Sequence, residues 1–109
     1  MSRITTHVLD TALGKPGAGI AVALERSRNG LWGPVAASTT DADGRCRDLG
    51  ENMPEGQYRL TFNVGPYFAR MQRKSIYSEI QITFDCGDEP HYHLPLLLSD
   101  NSYTTYRGS

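Results

Sequence analysis

Three short stretches hold the residues whose types and spacing could do chemistry: ITTHVL near the start, DADGR in the middle and HYHLPLLL followed by a closing YRGS. Side chains alternate along a strand, so HYHLPLLL sets His91, His93, Pro95 and Leu97 on one face and Tyr92, Leu94, Leu96 and Leu98 on the other. The leucine face reads as the core face, which aims both histidines outward. By the same alternation His7 lies with Thr5 and Leu9, opposite Ile4, Thr6 and Val8. Histidine titrates near neutrality and is suited to moving a proton to or from water. Arg45 follows a turn rich in Asp and Gly, and its planar guanidinium offers paired donors to adjacent acceptor atoms. The two histidines of HYH lie about 6 to 7 Å apart along a strand. That spacing would suit a metal, but no third ligand stands at a convincing distance in sequence, so no metal is expected. Each of these residues, taken singly, is also compatible with a solvated or interface position, and a common location for His7 and His93 is not fixed by spacing.

The elements that must position these groups are mostly strands. Period-two alternation recurs at residues 4–9, 20–26, 57–62, 79–85, 91–98 and 102–107, with turn signals between. Residues 31–40 contain Pro34, which cannot donate to a ladder and marks an edge strand or a bulge. Arg45 falls at a loop mouth or the start of a further strand. Residues 67–74, YFARMQRK, follow a Gly-Pro pair and form the one helix expected, with RMQRK on a solvated face. Seven or eight strands and one short helix in 109 residues predict an all-β, two-sheet sandwich, because a lone sheet would leave one apolar face wet. The length suits a single domain spanning residues 1–109.

Composition narrows the function classes. With 39% hydrophobic and 21% charged residues and a net charge of −1, the chain lacks the basic footprint that nucleic-acid binding requires. No run approaches the roughly 18 to 20 apolar residues of a membrane span. The start MSRITTHV has no apolar signal core, and the ending is not a peroxisomal address, which points to a cytoplasmic protein. Cys46 and Cys86 stand in unrelated contexts and are expected to be free thiols.

Beyond composition, ITTHVLDTALGKPGAGI, TTDADGR, GPYF and HYHLPLLLSDNSYTTYRGS together make the sequence resemble the 5-hydroxyisourate hydrolases, transthyretin-like enzymes of urate degradation. The closing YRGS is the specific signal, since transthyretin itself lacks it and lacks this histidine pattern. The resemblance implies a transthyretin-like sandwich that hydrolyses 5-hydroxyisourate to 2-oxo-4-hydroxy-4-carboxy-5-ureidoimidazoline without a cofactor. It implies catalytic roles for His7, Arg45, His93 and Ser109, with Tyr106, Arg107 and Gly108 lining the substrate pocket. His7 is favoured as the base that orients water and His93 as the group that polarises substrate, with the reverse assignment open. It also implies a homotetramer, a dimer of dimers, with its sites in a channel between the dimers and its tail ordered by other subunits. Two readings from other classes stand beside it: a binding protein with a transthyretin-like channel, and a purely structural sandwich.

Overall fold

In the computed structural model, which describes residues 1–108, alternation becomes nine strands and one helix. They are β1 (Ser2–Asp10), β2 (Lys15–Pro16), β3 (Ala21–Arg28), β4 (Leu31–Thr39), β5 (Arg45–Met53), β6 (Gly56–Asn63), α1 (Gly65–Arg70), β7 (Ile80–Cys86), β8 (His91–Leu98) and β9 (Tyr103–Thr105). One sheet runs β2-β1-β8-β9, with β5 pairing the first part of β1, and the other runs β4-β3-β6-β7. The strand beyond the expected eight is the two-residue β2.

The sandwich closes because each sheet has one apolar face. Ile4 and Val8 of β1, Leu94, Leu96 and Leu98 of β8, Val22 and Leu24 of β3, and Tyr58, Leu60 and Phe62 of β6 are buried in one core with Phe68 of α1. Burying each such aliphatic or aromatic side chain contributes about 1.5–3 kcal/mol. Strand β4 is indeed an edge, and its register shifts opposite Leu24 and Glu25, where Pro34 stands. Both cysteines are free and buried.

The region after the Gly-Pro pair departs from expectation. The helix covers Gly65–Arg70 rather than 67–74. Gln72 takes a positive φ of 55°, which turns the chain out of the helix. Arg73 is therefore not on a solvated face; its side chain is only 14% exposed and bridges Asp10 and Asp100. Tyr67 donates to Asp10 Oδ2 at 2.7 Å, Arg73 Nη1 donates to the same oxygen at 2.5 Å, and the Leu13 N–H donates to Oδ1 at 3.2 Å. Burial works to raise the Asp10 carboxyl, but these donors outweigh it and hold it below 3.8. Burial and the neighbouring carboxylate push the Tyr67 phenol up to about 12.

Among the described residues no helix is long and apolar enough to cross a membrane.

Candidate active site

Strand β1 is the element on which the site is built, because it is paired on both sides. On one edge it runs antiparallel to β5, with His7 opposite Arg45. On the other it runs parallel to β8, with Thr5 opposite His93 and His7 opposite Pro95. Thr5, His7, Arg45 and His93 thus share the outer face of the five-stranded sheet, while Ile4, Val8, Cys46 and Leu94 of the same strands go to the core. The histidine face and the leucine face divide as alternation requires.

The turn ahead of Arg45 is held by its own residues. Asp41 Oδ1 accepts the N–H of Asp43 at 2.9 Å and of Arg45 at 3.0 Å. The Arg45 N–H is the largest influence keeping the Asp41 carboxyl below its ordinary value. Gly44 sits at φ +78°, and a Cβ there would come within 2.3 Å of the Val8 carbonyl oxygen, so only glycine fits. His7 completes the turn: its Nε2 lies 2.9 Å from the Asp43 carbonyl oxygen. A carbonyl only accepts, so Nε2 carries the proton and donates, which leaves Nδ1 of a neutral ring as the bare nitrogen.

His93 is held differently. Its Nδ1 lies 2.7 Å from Thr5 Oγ1, and the same hydroxyl lies 2.7 Å from His91 Nε2. The ring centroids of His91 and His93 are 6.0 Å apart. Burial is the main cause that lowers the His93 pKa below 6.5; the charges of His91, Arg45 and His7 add to it, against an opposing backbone hydrogen bond at Thr5. His93 is therefore set to be neutral, and able to accept a proton, at neutral pH.

The chain's end reaches this face within its own subunit. After the polar turn SDN, β9 pairs β8 antiparallel, and the Gly108 N–H donates to the His93 carbonyl at 2.8 Å. The strand expected over 102–107 is shorter, Tyr103–Thr105, and the chain returns to β8 only at Gly108. A Cβ on Gly108 would come within 2.7 Å of His93 Cδ2, so this close approach needs glycine. The guanidinium of Arg107 lies over the Tyr92 ring, 5.3 Å from its centroid, and 3.9 Å from the Glu89 carboxylate. Tyr106 is 53% exposed. Ser109, expected to be catalytic, lies outside the described residues.

Two adjoining hollows share the histidine pair. One, of about 180 Å³, is lined by Arg3, Thr5, Thr6, Arg45, Arg47, His91 and His93. The other, of about 350 Å³, is lined by His91, His93, Arg107 and Gly108. Arg45, His93, Arg107 and Gly108 are thus brought together, whereas His7 and Tyr106 line neither hollow. Thr5, Thr6, His91, Arg3 and Arg47 are the lining residues that sequence reasoning left out of the site. Arg3 and Thr5 share the parity of His7, and Arg47 that of Arg45, which was the available signal. Among the described residues no group of three or more His, Cys, Asp or Glu side chains is arranged to hold a metal. Four guanidinium groups around two imidazoles instead make a surface matched to a small, acceptor-rich molecule.

Comparison with known proteins agrees with this fold. The model of the HIUase/Transthyretin family matches residues 4–108. A 5-hydroxyisourate hydrolase from Mesorhizobium japonicum is 40% identical over 114 aligned positions, covering 98% of this chain and 92% of that protein. The structure of Klebsiella pneumoniae 5-hydroxyisourate hydrolase superimposes with a TM-score of 0.86 at 39% identity, covering 100% of this chain and 94% of that one. Sea bream transthyretin in complex with thyroxine superimposes with a TM-score of 0.92 at 30% identity, covering 97% and 94% of the two chains. Matched over nearly its whole length in sequence and in fold, the chain belongs to the HIUase/Transthyretin family.

Proposed function

We propose that this protein is a 5-hydroxyisourate hydrolase, which adds water to 5-hydroxyisourate and opens its six-membered ring to give 2-oxo-4-hydroxy-4-carboxy-5-ureidoimidazoline in urate degradation. The observation that carries the reading is the hollow whose lining brings a neutral-leaning His93 together with Thr5 and Arg45. Water must lose a proton as its oxygen bonds to the lactam carbonyl carbon, and the ring nitrogen must gain one as the C–N bond breaks. A histidine below its ordinary pKa serves both transfers. Arg45 stabilises the negative charge that develops on the carbonyl oxygen.

Of the two histidine assignments, the geometry favours His93 as the base, because it lines both hollows and its Nε2 has no protein partner among the described residues. His7, tied to the Asp43 carbonyl, holds the DADGR turn that presents Arg45 and leaves its Nδ1 bare. Arg107 and Gly108 close the second side of the pocket. We assign Ser109 and Tyr106 to the same substrate pocket, Tyr106 at the surface met by a neighbouring subunit. Both hollows are open, so enclosing the substrate with its single attacking water calls for a facing subunit; this supports a homotetramer, a dimer of dimers, whose sites lie between the dimers. A cytoplasmic protein made of one domain over residues 1–109 completes the reading, the latter supported by the extent of the family match.

The likeness to thyroxine-bound transthyretin favours a second reading, a carrier of an apolar ligand. The lining by Arg3, Arg45, Arg47, His91 and His93 opposes it, because an apolar ligand would leave these groups without partners.

The test is the ultraviolet decay of 5-hydroxyisourate generated in place by urate oxidase, followed with wild type, with His93→Ala and without protein. Faster decay with wild type alone is the expected result. Coincident traces would sink the hydrolase reading and return the search to bound ligands.

A further inference from the structure

The Thr5 hydroxyl has one hydrogen and touches two imidazole nitrogens, His91 Nε2 and His93 Nδ1, each at 2.7 Å. It can donate to only one of them and must accept from the other. Were both nitrogens protonated, the hydroxyl hydrogen would have no acceptor among the described residues, in a side chain whose residue is 5% exposed. The two rings are thus held in complementary tautomers, and a proton arriving at one end of the chain displaces one toward the other. The ends differ in solvation: His91 is exposed, His93 half-buried. A positive charge is costly on His93 and well hydrated on His91.

We propose that Thr5 and His91 are positioning residues that form a proton relay behind His93, deepening the hydrolase reading on which the proposal rests. In the resting state His93 Nδ1–H donates to Thr5 Oγ1, the Thr5 O–H donates to the bare His91 Nε2, and His93 Nε2 is bare toward substrate. As Nε2 takes a proton from water and the water oxygen bonds to the carbonyl carbon, the Nδ1 proton passes to Thr5 and the Thr5 proton to His91. His91 becomes the imidazolium and His93 stays neutral with its proton on Nε2. That Nε2 proton goes to the ring nitrogen as the C–N bond breaks, and His91 returns its extra proton through Thr5 to Nδ1. Each group ends as it began, and the carboxylic acid formed loses its own proton to solvent. The charged groups around His93 are Arg3 and His7 from β1, Arg45 and Arg47 from β5, His91 from its own strand and Arg107 from the tail, with Glu89 beside Arg107.

The test combines imidazole ¹⁵N shifts with pH–rate profiles for wild type, Thr5→Val, Thr5→Ser and His91→Gln. In wild type the shifts should report His93 protonated at Nδ1; Thr5→Val should give a mixture of tautomers, and Thr5→Ser should restore one. His91→Gln keeps a polar group at an exposed position but cannot carry the proton; kcat should fall about tenfold, less than the 10² to 10⁴ of a direct acid–base group, with KM nearly constant. Because the His91 charge lowers the His93 pKa, its removal should move the acid limb of the profile to higher pH. Thr5→Ser should recover the rate lost in Thr5→Val to within about threefold. The relay is overturned if wild type accelerates the decay while Thr5→Val and His91→Gln keep its kcat and profile. It is equally overturned if the His93 tautomer does not respond to Thr5→Val, a readout that stands even if wild type shows no hydrolase activity.

Discussion

Strands β1 and β8 are bound to their surroundings by polar side chains at two places, and the two are built on opposite lines. At the C-terminal end of β1, Asp10 is wholly buried and takes donors from Tyr67, Leu13 and Arg73, the last also bound to Asp100. Five residues earlier, Thr5 joins His91 and His93 on a half-exposed face and leaves the outer nitrogen of His93 open. In the first cluster every valence is used and the charges are locked, with Arg73 pushed further toward its cationic form by its bonds to Asp10 and Asp100. In the second, burial and positive neighbours hold a proton-binding group in its neutral form. Polar residues that saturate one another stabilise a fold; those that keep one valence free can act on something else.

The contrast predicts that damage at the two places will appear in different measurements. His93→Ala should lower kcat/KM by about 10² to 10⁴ while shifting the urea midpoint little. Loss of folding stability on a similar scale to the catalytic loss would erase the distinction. In wild type the rate should persist as pH falls to 6.5 and decline only below it, because the neutral ring is the active form and its pKa lies under that value. A pH–rate profile whose acid limb lies above 6.5 would contradict this.

Asp10→Ala should cost about 3–5 kcal/mol in urea unfolding, since it strands the Arg73 charge and a buried Tyr67 hydroxyl. The pH dependence has a definite sign. The folded-state pKa of Asp10 is depressed, so its contribution is complete above the unfolded value near 3.9 and is lost as pH falls through the lower folded value. The stability gap between wild type and Asp10→Asn should therefore narrow only in acid below about pH 4. A gap unchanged down to pH 2 would show that the carboxylate charge contributes nothing.

Smaller effects should come from the supports of the site. Gly108→Ala forces a methyl against the His93 ring and should reduce kcat about tenfold, roughly 1.4 kcal/mol of barrier, with a normal melting curve. Asp41→Ala removes the cap that two N–H groups share and should cost about 0.5–2 kcal/mol in urea unfolding. If either variant is indistinguishable from wild type, the close approach or the turn geometry is more tolerant than its contacts imply.

Much of this was legible in the sequence because alternation is a local signal. It separated His91 and His93 from Leu94, Leu96 and Leu98, placed His7 opposite Val8, and marked Pro34 as a sheet edge. Strand β5 was the hard element: RCRDLGENM does not alternate, and its register against β1 shifts twice between Ser2 and Thr6, so a period of two never develops. The Thr5 bridge could not be read either. It joins residues 86 and 88 positions apart through a parallel pairing, for which the chain carries no local mark. Arg73 was misplaced for a related reason, since its partners Asp10 and Asp100 are far away in sequence and only the turn at Gln72 aims it at them.

The parallel pairing of β1 with β8 also bears on synthesis. On the ribosome, β1 waits for some eighty residues before its neighbour His91–Leu98 exists. Until then one of its edges offers unpaired backbone groups, a template for the wrong partner. A long-range closure of this kind is slow relative to hairpin formation. Activity would then report completion: a nascent chain ending at Pro90 could possess seven of the nine strands, Arg45 and His7, yet have neither His91 nor His93 with which to move a proton.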